Sequence, residues 1–127
     1  MNRNSKGFTL IELVTVIAIL GVLAAMTVPK FFDLQTQAKI ETENMIIGTI
    51  RAGLETYAAN QIVTTGSKVY PVSTTSTVLT DILNPVPEGW GYDASNEHVF
   101  NSDSTAKWTY SSAGGALYTI GSRTLIP

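Results

Sequence analysis

The stretch from Phe8 to Val28, FTLIELVTVIAILGVLAAMTV, constrains this chain more than any other part of it. It carries one charge, Glu12, and the aliphatic run is otherwise interrupted only by Thr9, Thr15, Thr27 and Gly21. As a helix the stretch would reach about 31 Å, the thickness of the hydrocarbon layer of a bilayer. A soluble domain within 127 residues has little use for so long a helix that is apolar all round. Residues 8–28 are therefore expected to lie in a membrane or in an equally dry protein interior.

Two features set the stretch apart from a plain anchor. The polar lead-in, MNRNSKG, is short and ends in glycine directly before Phe8. Glu12 lies one turn inside the apolar run, where an unpaired carboxylate costs about 2.5 kcal/mol or more. Cleavage after Gly7 would create a positive amine on Phe8, one helical turn from Glu12. The costly charge would then become half of an ion pair, within one chain or between neighbours. Gly21 permits close helix approach. Pro29 removes a backbone donor, so the helix is expected to kink or loosen between these two residues. Arg3 and Lys6 favour a cytoplasmic lead-in by the positive-inside rule, with the remainder on the outer side.

The run Gly7-Phe8-Thr9-Leu10-Ile11-Glu12-Leu13, with Gly21 and Pro29 in register, strongly resembles the amino-terminal signature of type IV pilins and of the pseudopilins of type II secretion. The resemblance implies residues 1–7 as a leader, 8–28 as a transmembrane and filament-core helix, and 29–127 as a globular head that includes the second half of the helix. It implies a prepilin peptidase that cuts between Gly7 and Phe8 and methylates the new amino group of Phe8. Glu12 is then expected to face the amine of an adjacent subunit during assembly. The implied partners are membrane lipid before assembly, an inner-membrane assembly platform, and further copies of the chain in a helical filament. The implied locations are the bacterial inner membrane, then an extracellular pilus or a periplasmic pseudopilus.

An ordinary secretory signal peptide is the alternative for the amino terminus, cut near Val22-Leu23-Ala24 to release a binding domain. Glu12 inside its core, and an apolar run that continues past the cut, speak against it. An uncut anchor explains neither Gly7-Phe8 nor Glu12. The formal charge of −2 becomes −4 once Arg3 and Lys6 leave with the leader, and the remaining cations are scattered. No direct nucleic-acid site is evident. Many type IV pilins close a carboxy-terminal loop with a disulfide. This chain has no cysteine, so its end is expected to be held by packing alone.

After Pro29 the pattern becomes amphipathic. Ile40, Ile47, Ile50, Leu54, Tyr57 and Ala58 fall on one stripe, with Lys39, Glu41, Thr42, Thr49, Arg51 and Glu55 opposite. One long helix is expected from Phe8 to about Asn60. Gly48 and Gly53 weaken it unless something packs closely against them. From Ile62 the composition turns to loop residues, including the hydroxyl run Ser73–Thr77. A turn or two of helix is expected around Leu79, Ile82 and Leu83, ended by Pro85. Strands are expected at Trp90–Tyr92 and Glu97–Phe100 around an Asp93–Asn96 loop, and at Lys107–Ser111 and Ala116–Ile120 around Gly114-Gly115. Trp108 and Tyr110 share a face, as do Tyr118 and Ile120, and that face should meet the helix stripe. The expected fold is α+β: a long amino-terminal helix packed on a small antiparallel sheet, as in pilins.

Little in the sequence suggests chemistry. His98 is the only histidine, so neither a zinc cluster nor a Ser-His-Asp arrangement is expected. Asp81, Glu88, Asp93, Glu97 and Asp103 are scattered singly and make no calcium motif. Phe31, Phe32 and Tyr57 sit where a core or a subunit interface would want them. The chain reads as a structural subunit without cofactor or metal. It is a pilus-like filament protein or, alternatively, a secretion pseudopilin.

Overall fold

A computed structural model describes residues 7–127. Of the expected leader, only Gly7 falls within the described residues. The chain divides into two compact units, one ending at Glu41 and one spanning Thr42–Pro127.

Helix α1 (Leu10–Thr65) runs through both units without a break at Gly21 or Pro29. Its start is a capping box. The Thr9 amide donates to Glu12 Oε2 at 2.8 Å, and the Glu12 amide donates back to Thr9 Oγ1 at 3.3 Å. Its end lies beyond the expected Asn60. Thr64 and Thr65, taken for loop residues, donate their hydroxyls to the carbonyls of Asn60 and Gln61 at 3.0 and 2.8 Å. Gly66, at φ +78°, then donates its amide to the Ile62 carbonyl and stops the helix in the left-handed conformation that glycine adopts freely.

The second unit is the head. Within it α1 contributes Ile47, Ile50, Leu54 and Ala58 to a buried cluster with Val78, Leu79, Val99, Trp108 and Tyr110. Ile40 and Tyr57, also on the expected stripe, are only half-buried. A Cβ on Gly53 would lie 2.8 Å from the Ile82 carbonyl oxygen, so this glycine admits the close contact that compensates it. Gly48 faces open space. The short helix α2 (Val78–Ile82) buries Val78 and Leu79 in the cluster.

Five strands follow: β1 (Gly91–Asp93), β2 (His98–Phe100), β3 (Ala106–Ser111), β4 (Thr119–Ile120) and β5 (Thr124–Leu125). All pairings are antiparallel, in the order β1-β2-β3, with β4 and β5 both on the far edge of β3. The last part departs from the expected hairpin. Ala116–Tyr118 are not strand, and β5 was not anticipated. Gly121 carries the chain between the two short strands. Its amide donates to the Thr109 carbonyl at 2.8 Å, and a Cβ there would sit 2.3 Å from Thr109 Oγ1.

Along β3 burial alternates: Ala106, Trp108 and Tyr110 point into the core. Trp108 stacks on Trp90 with ring centroids 5.3 Å apart. Tyr110 donates its hydroxyl to the Pro71 carbonyl at 2.7 Å, and Tyr92 donates to the Ser73 carbonyl. The sheet is thereby tied to the loop that follows α1.

Trp108→Ala should remove about 3–5 kcal/mol from a total near 5–15 kcal/mol. Loss of the cooperative melt, followed by circular dichroism, is the expected result; an unchanged melting temperature would contradict the core assignment. The tyrosines add a pH test. Burial, first among the causes, pushes the phenols of Tyr92 and Tyr110 up to about 12 from 10.0. The folded state therefore keeps protons that the unfolded state loses. Their contribution to stability is complete below pH 10 and declines as pH rises toward about 12. Melting temperature should fall across that window, with phenolate absorbance from these residues held back toward pH 12 for as long as the head stays folded.

Candidate assembly site

In the first unit, Gly7 and Phe8 precede the helix, and Phe8 is 89% exposed. Every large apolar side chain that stands out from Leu10 to Val28 is at least 45% exposed, the minimum being Val14. No part of the described chain covers them. The helix is apolar and long enough to cross a bilayer, with a mean hydropathy of 2.4 over its most apolar window. Gly21 has nothing within 4 Å of where a Cβ would be, leaving a notch on the helix surface.

Glu12 opens this surface. Its Oε2 accepts both the Thr9 amide, at 2.8 Å, and the Thr9 hydroxyl, at 2.7 Å. With Phe8, Ile11, Thr15 and Val16 it lines one shallow hollow on the helix. The expected amine partner does not exist while the Gly7–Phe8 bond is intact, so Thr9 supplies the local partner. That role was legible in the sequence as Thr-x-x-Glu ahead of an apolar run, a signal the reading did not use. Pro29 lies inside α1, which stays helical there in the single chain.

Residues 2–28 match the model of the prokaryotic N-terminal methylation motif. The chain is also 34% identical over 94 residues to the type II secretion system core protein G of Pseudomonas aeruginosa, covering 72% of this chain and 62% of that protein. This likeness reaches well beyond the motif and into the head. The motif and this likeness both point to the pilin and pseudopilin family. Shorter matches tie this pilin-like chain to type IV pilins. It is 38% identical over 60 residues to the type IV major pilin protein PilE1 of Neisseria gonorrhoeae, 47% of this chain and 36% of that pilin. It is 50% identical over 38 residues to the type IV major pilin protein PilA of Myxococcus xanthus, 30% of this chain and 17% of that one. The chain thus spans less than two thirds of the length of each of these relatives. No solved structure matches it.

The head of this pilin-like chain contains a site that the sequence reading missed. Glu43, 3% exposed, accepts from Asn101 Nδ2 at 2.7 Å and from Arg123 Nε at 2.6 Å. The carboxy-terminal end is therefore held by a partly buried ion pair, and the expectation of packing alone is wrong. The signal was present. Glu43 falls on the apolar stripe between Ile40 and Ile47, and a carboxylate on a core face needs a cation or several donors. On the surface, Tyr70 donates its hydroxyl to Glu55 at 2.7 Å, and Lys68 lies 3.3 Å from the same carboxylate. The Tyr70 hydroxyl first, and Lys68 with it, hold the Glu55 carboxyl below its ordinary range.

The remaining candidates stay apart. His98 is half-buried beside Phe100, with ring centroids 6.4 Å apart. Among the described residues, no three His, Cys, Asp or Glu side chains come together in a way that would hold a metal ion.

Proposed function

We propose that this chain is a structural subunit of a type IV pilus-like filament, cut between Gly7 and Phe8, methylated on Phe8, and polymerised through residues 8–28. One observation carries the reading: an uncovered apolar helix surface that begins at a carboxylate. Lipid can cover that surface before assembly, and the helices of other subunits can cover it afterwards. The head, Thr42–Pro127, needs neither, since its core closes on itself. In the filament the segment between Gly21 and Pro29 loosens, because proline leaves one carbonyl of the preceding turn without its donor. A prepilin peptidase and an inner-membrane platform are the partners this route requires. The subunit resides first in the inner membrane and then in the filament, and its role is structural rather than enzymatic.

A second reading, a type II secretion pseudopilin, is favoured by the 94-residue likeness to core protein G and by the absence of cysteine. The two differ in where the filament ends. Deleting the gene would remove surface fibres in the first case, and would trap exoproteins in the periplasm in the second.

Glu12 is needed for assembly rather than for insertion. Between packed helices an unmatched charge costs several kcal/mol, roughly the 3–5 of a broken buried pair. The pairing of Glu12 with a neighbour's Phe8 amine therefore selects the axial stagger. Glu12→Ala should insert and be cleaved, yet give few filaments, measured as sheared fibre against membrane-held subunit. Wild-type fibre yield would show the carboxylate to be incidental. A bulky residue in place of Gly7 should leave uncut precursor in the membrane, and normal processing of that variant would refute the cleavage site.

A further inference from the structure

Among the described side chains of α1, Glu43 is the first that is buried, and what covers it comes from distant parts of the chain. Arg123 donates from Nε to Oε2 at 2.6 Å, and Asn101 donates from Nδ2 to Oε1 at 2.7 Å. Asn101 is itself fixed, because its Oδ1 accepts the amides of Thr105 and Ala106, both at 2.9 Å. The backbone after Arg123 is pinned to the same loop. Thr124 and Leu125 pair with Lys107 and Ala106, and the Ile126 amide donates to the Thr105 carbonyl at 2.9 Å. The tail, the loop at 101–105 and the helix turn at Glu43 share one connected set of bonds.

We propose that Arg123–Ile126 is a clasp that fixes where the head's grip on α1 begins, and that clasp, loop and helix turn open together while the rest of the sheet stays folded. The ion pair makes the parts move as one. A carboxylate that loses its cation while its side chain is only 5% exposed is strongly unfavourable. Reaching water requires the turn at Glu43 to leave the head as well. The tail holds little else. β5 has two residues, Leu125 is 65% exposed, and no residue after Ile120 belongs to the apolar core or packs against it.

Opening therefore exposes little apolar surface and leaves the cluster from Ile47 onward intact. The first buried residue moves from Glu43 to Ile47, about 6 Å of helix rise. The edge of β3 at Ala106 and Lys107 loses its partner strand, and an unpaired edge of this kind accepts strands from other chains. The clasp thus sets both the length of helix the head holds and the access to one sheet edge.

Hydrogen exchange read by mass spectrometry tests this on the full chain in detergent micelles. In the unaltered protein, amides of 43–46, of Thr105 and of Ile126 should exchange at one common rate, about tenfold or more above those of Trp108 and Tyr110. Arg123→Gln should speed that set by a further factor of about ten or more, and leave Trp108 and Tyr110 within about twofold. Arg123→Lys, which keeps the charge, should fall between the two. Unchanged exchange at 43–46 in Arg123→Gln would overturn the clasp. So would an equal acceleration across the whole head, which would make the pair a global stabiliser. Should Arg123→Gln fail to accumulate, the unaltered protein in rising denaturant decides. One shared rate for the three segments, distinct from the core, supports the clasp; three unrelated rates refute it.

Discussion

An apolar helix surface with nothing over it is the constraint on which the rest of this protein depends. Burying such surface is worth about 25 cal/mol for each Å² removed from water. The side chains from Phe8 to Val28 leave most of theirs open. Water is therefore the one environment the segment has to avoid, and lipid or other helices are what satisfy it. The head solves the opposite problem. Its buried cluster draws only on residues between Ile47 and Tyr110, so its packing closes without any contribution from the apolar segment. A subunit built this way can exchange one cover for another without unfolding.

Two carboxylates on α1 sit in apolar surroundings, and the protein treats them differently. Glu43 is buried against the head, with both oxygens engaged by groups of the same chain. Such a pair adds little net stability over a well-packed apolar alternative, but removing one partner is expensive. It ties the helix to the loop at Asn101 and to the tail at Arg123 at one point of α1, in a chain without cysteine. Glu12, by contrast, is left at the surface with a local partner only.

Most of the architecture was legible because its signals are periodic. The apolar stripe on α1 and the alternation along β3 each repeat over several turns or residues, and local noise averages out. Ile47, Ile50, Leu54, Ala58, Trp108 and Tyr110 all land in the core for that reason. What escaped was aperiodic. β5 has two residues, too few for alternation to register, and exists because β3 offers an edge at Ala106 and Lys107. The end of α1 was misplaced because Thr64 and Thr65 have poor helix propensity but bond back to Asn60 and Gln61. The Glu43 pair spans most of the chain in sequence, and no local window contains both halves. In the amino-terminal segment, position and motif single out Gly7, Phe8 and Glu12 as the expected cleavage and assembly residues. The capping role of Thr9, written in the sequence as Thr-x-x-Glu, was recognised from the geometry.

That geometry bears on how one carboxylate can serve two states. A carboxylate has two oxygens and about four lone-pair positions. Both bonds from Thr9 fall on Oε2 of Glu12. An amine arriving from a neighbouring chain can therefore approach Oε1 without displacing either bond. The helix cap survives the encounter, and the helix start need not unravel for the pair to form. Thr9 also belongs to the portion of chain that the proposed cut at Gly7 would leave, so the cap would survive that processing. In the proposed membrane and filament states the same two bonds would lower the cost of keeping Glu12 near lipid and would hold the carboxylate at a fixed rotamer, so that less side-chain freedom is lost when an amine binds. A glutamate oriented in advance specifies axial position more sharply than one free to swing.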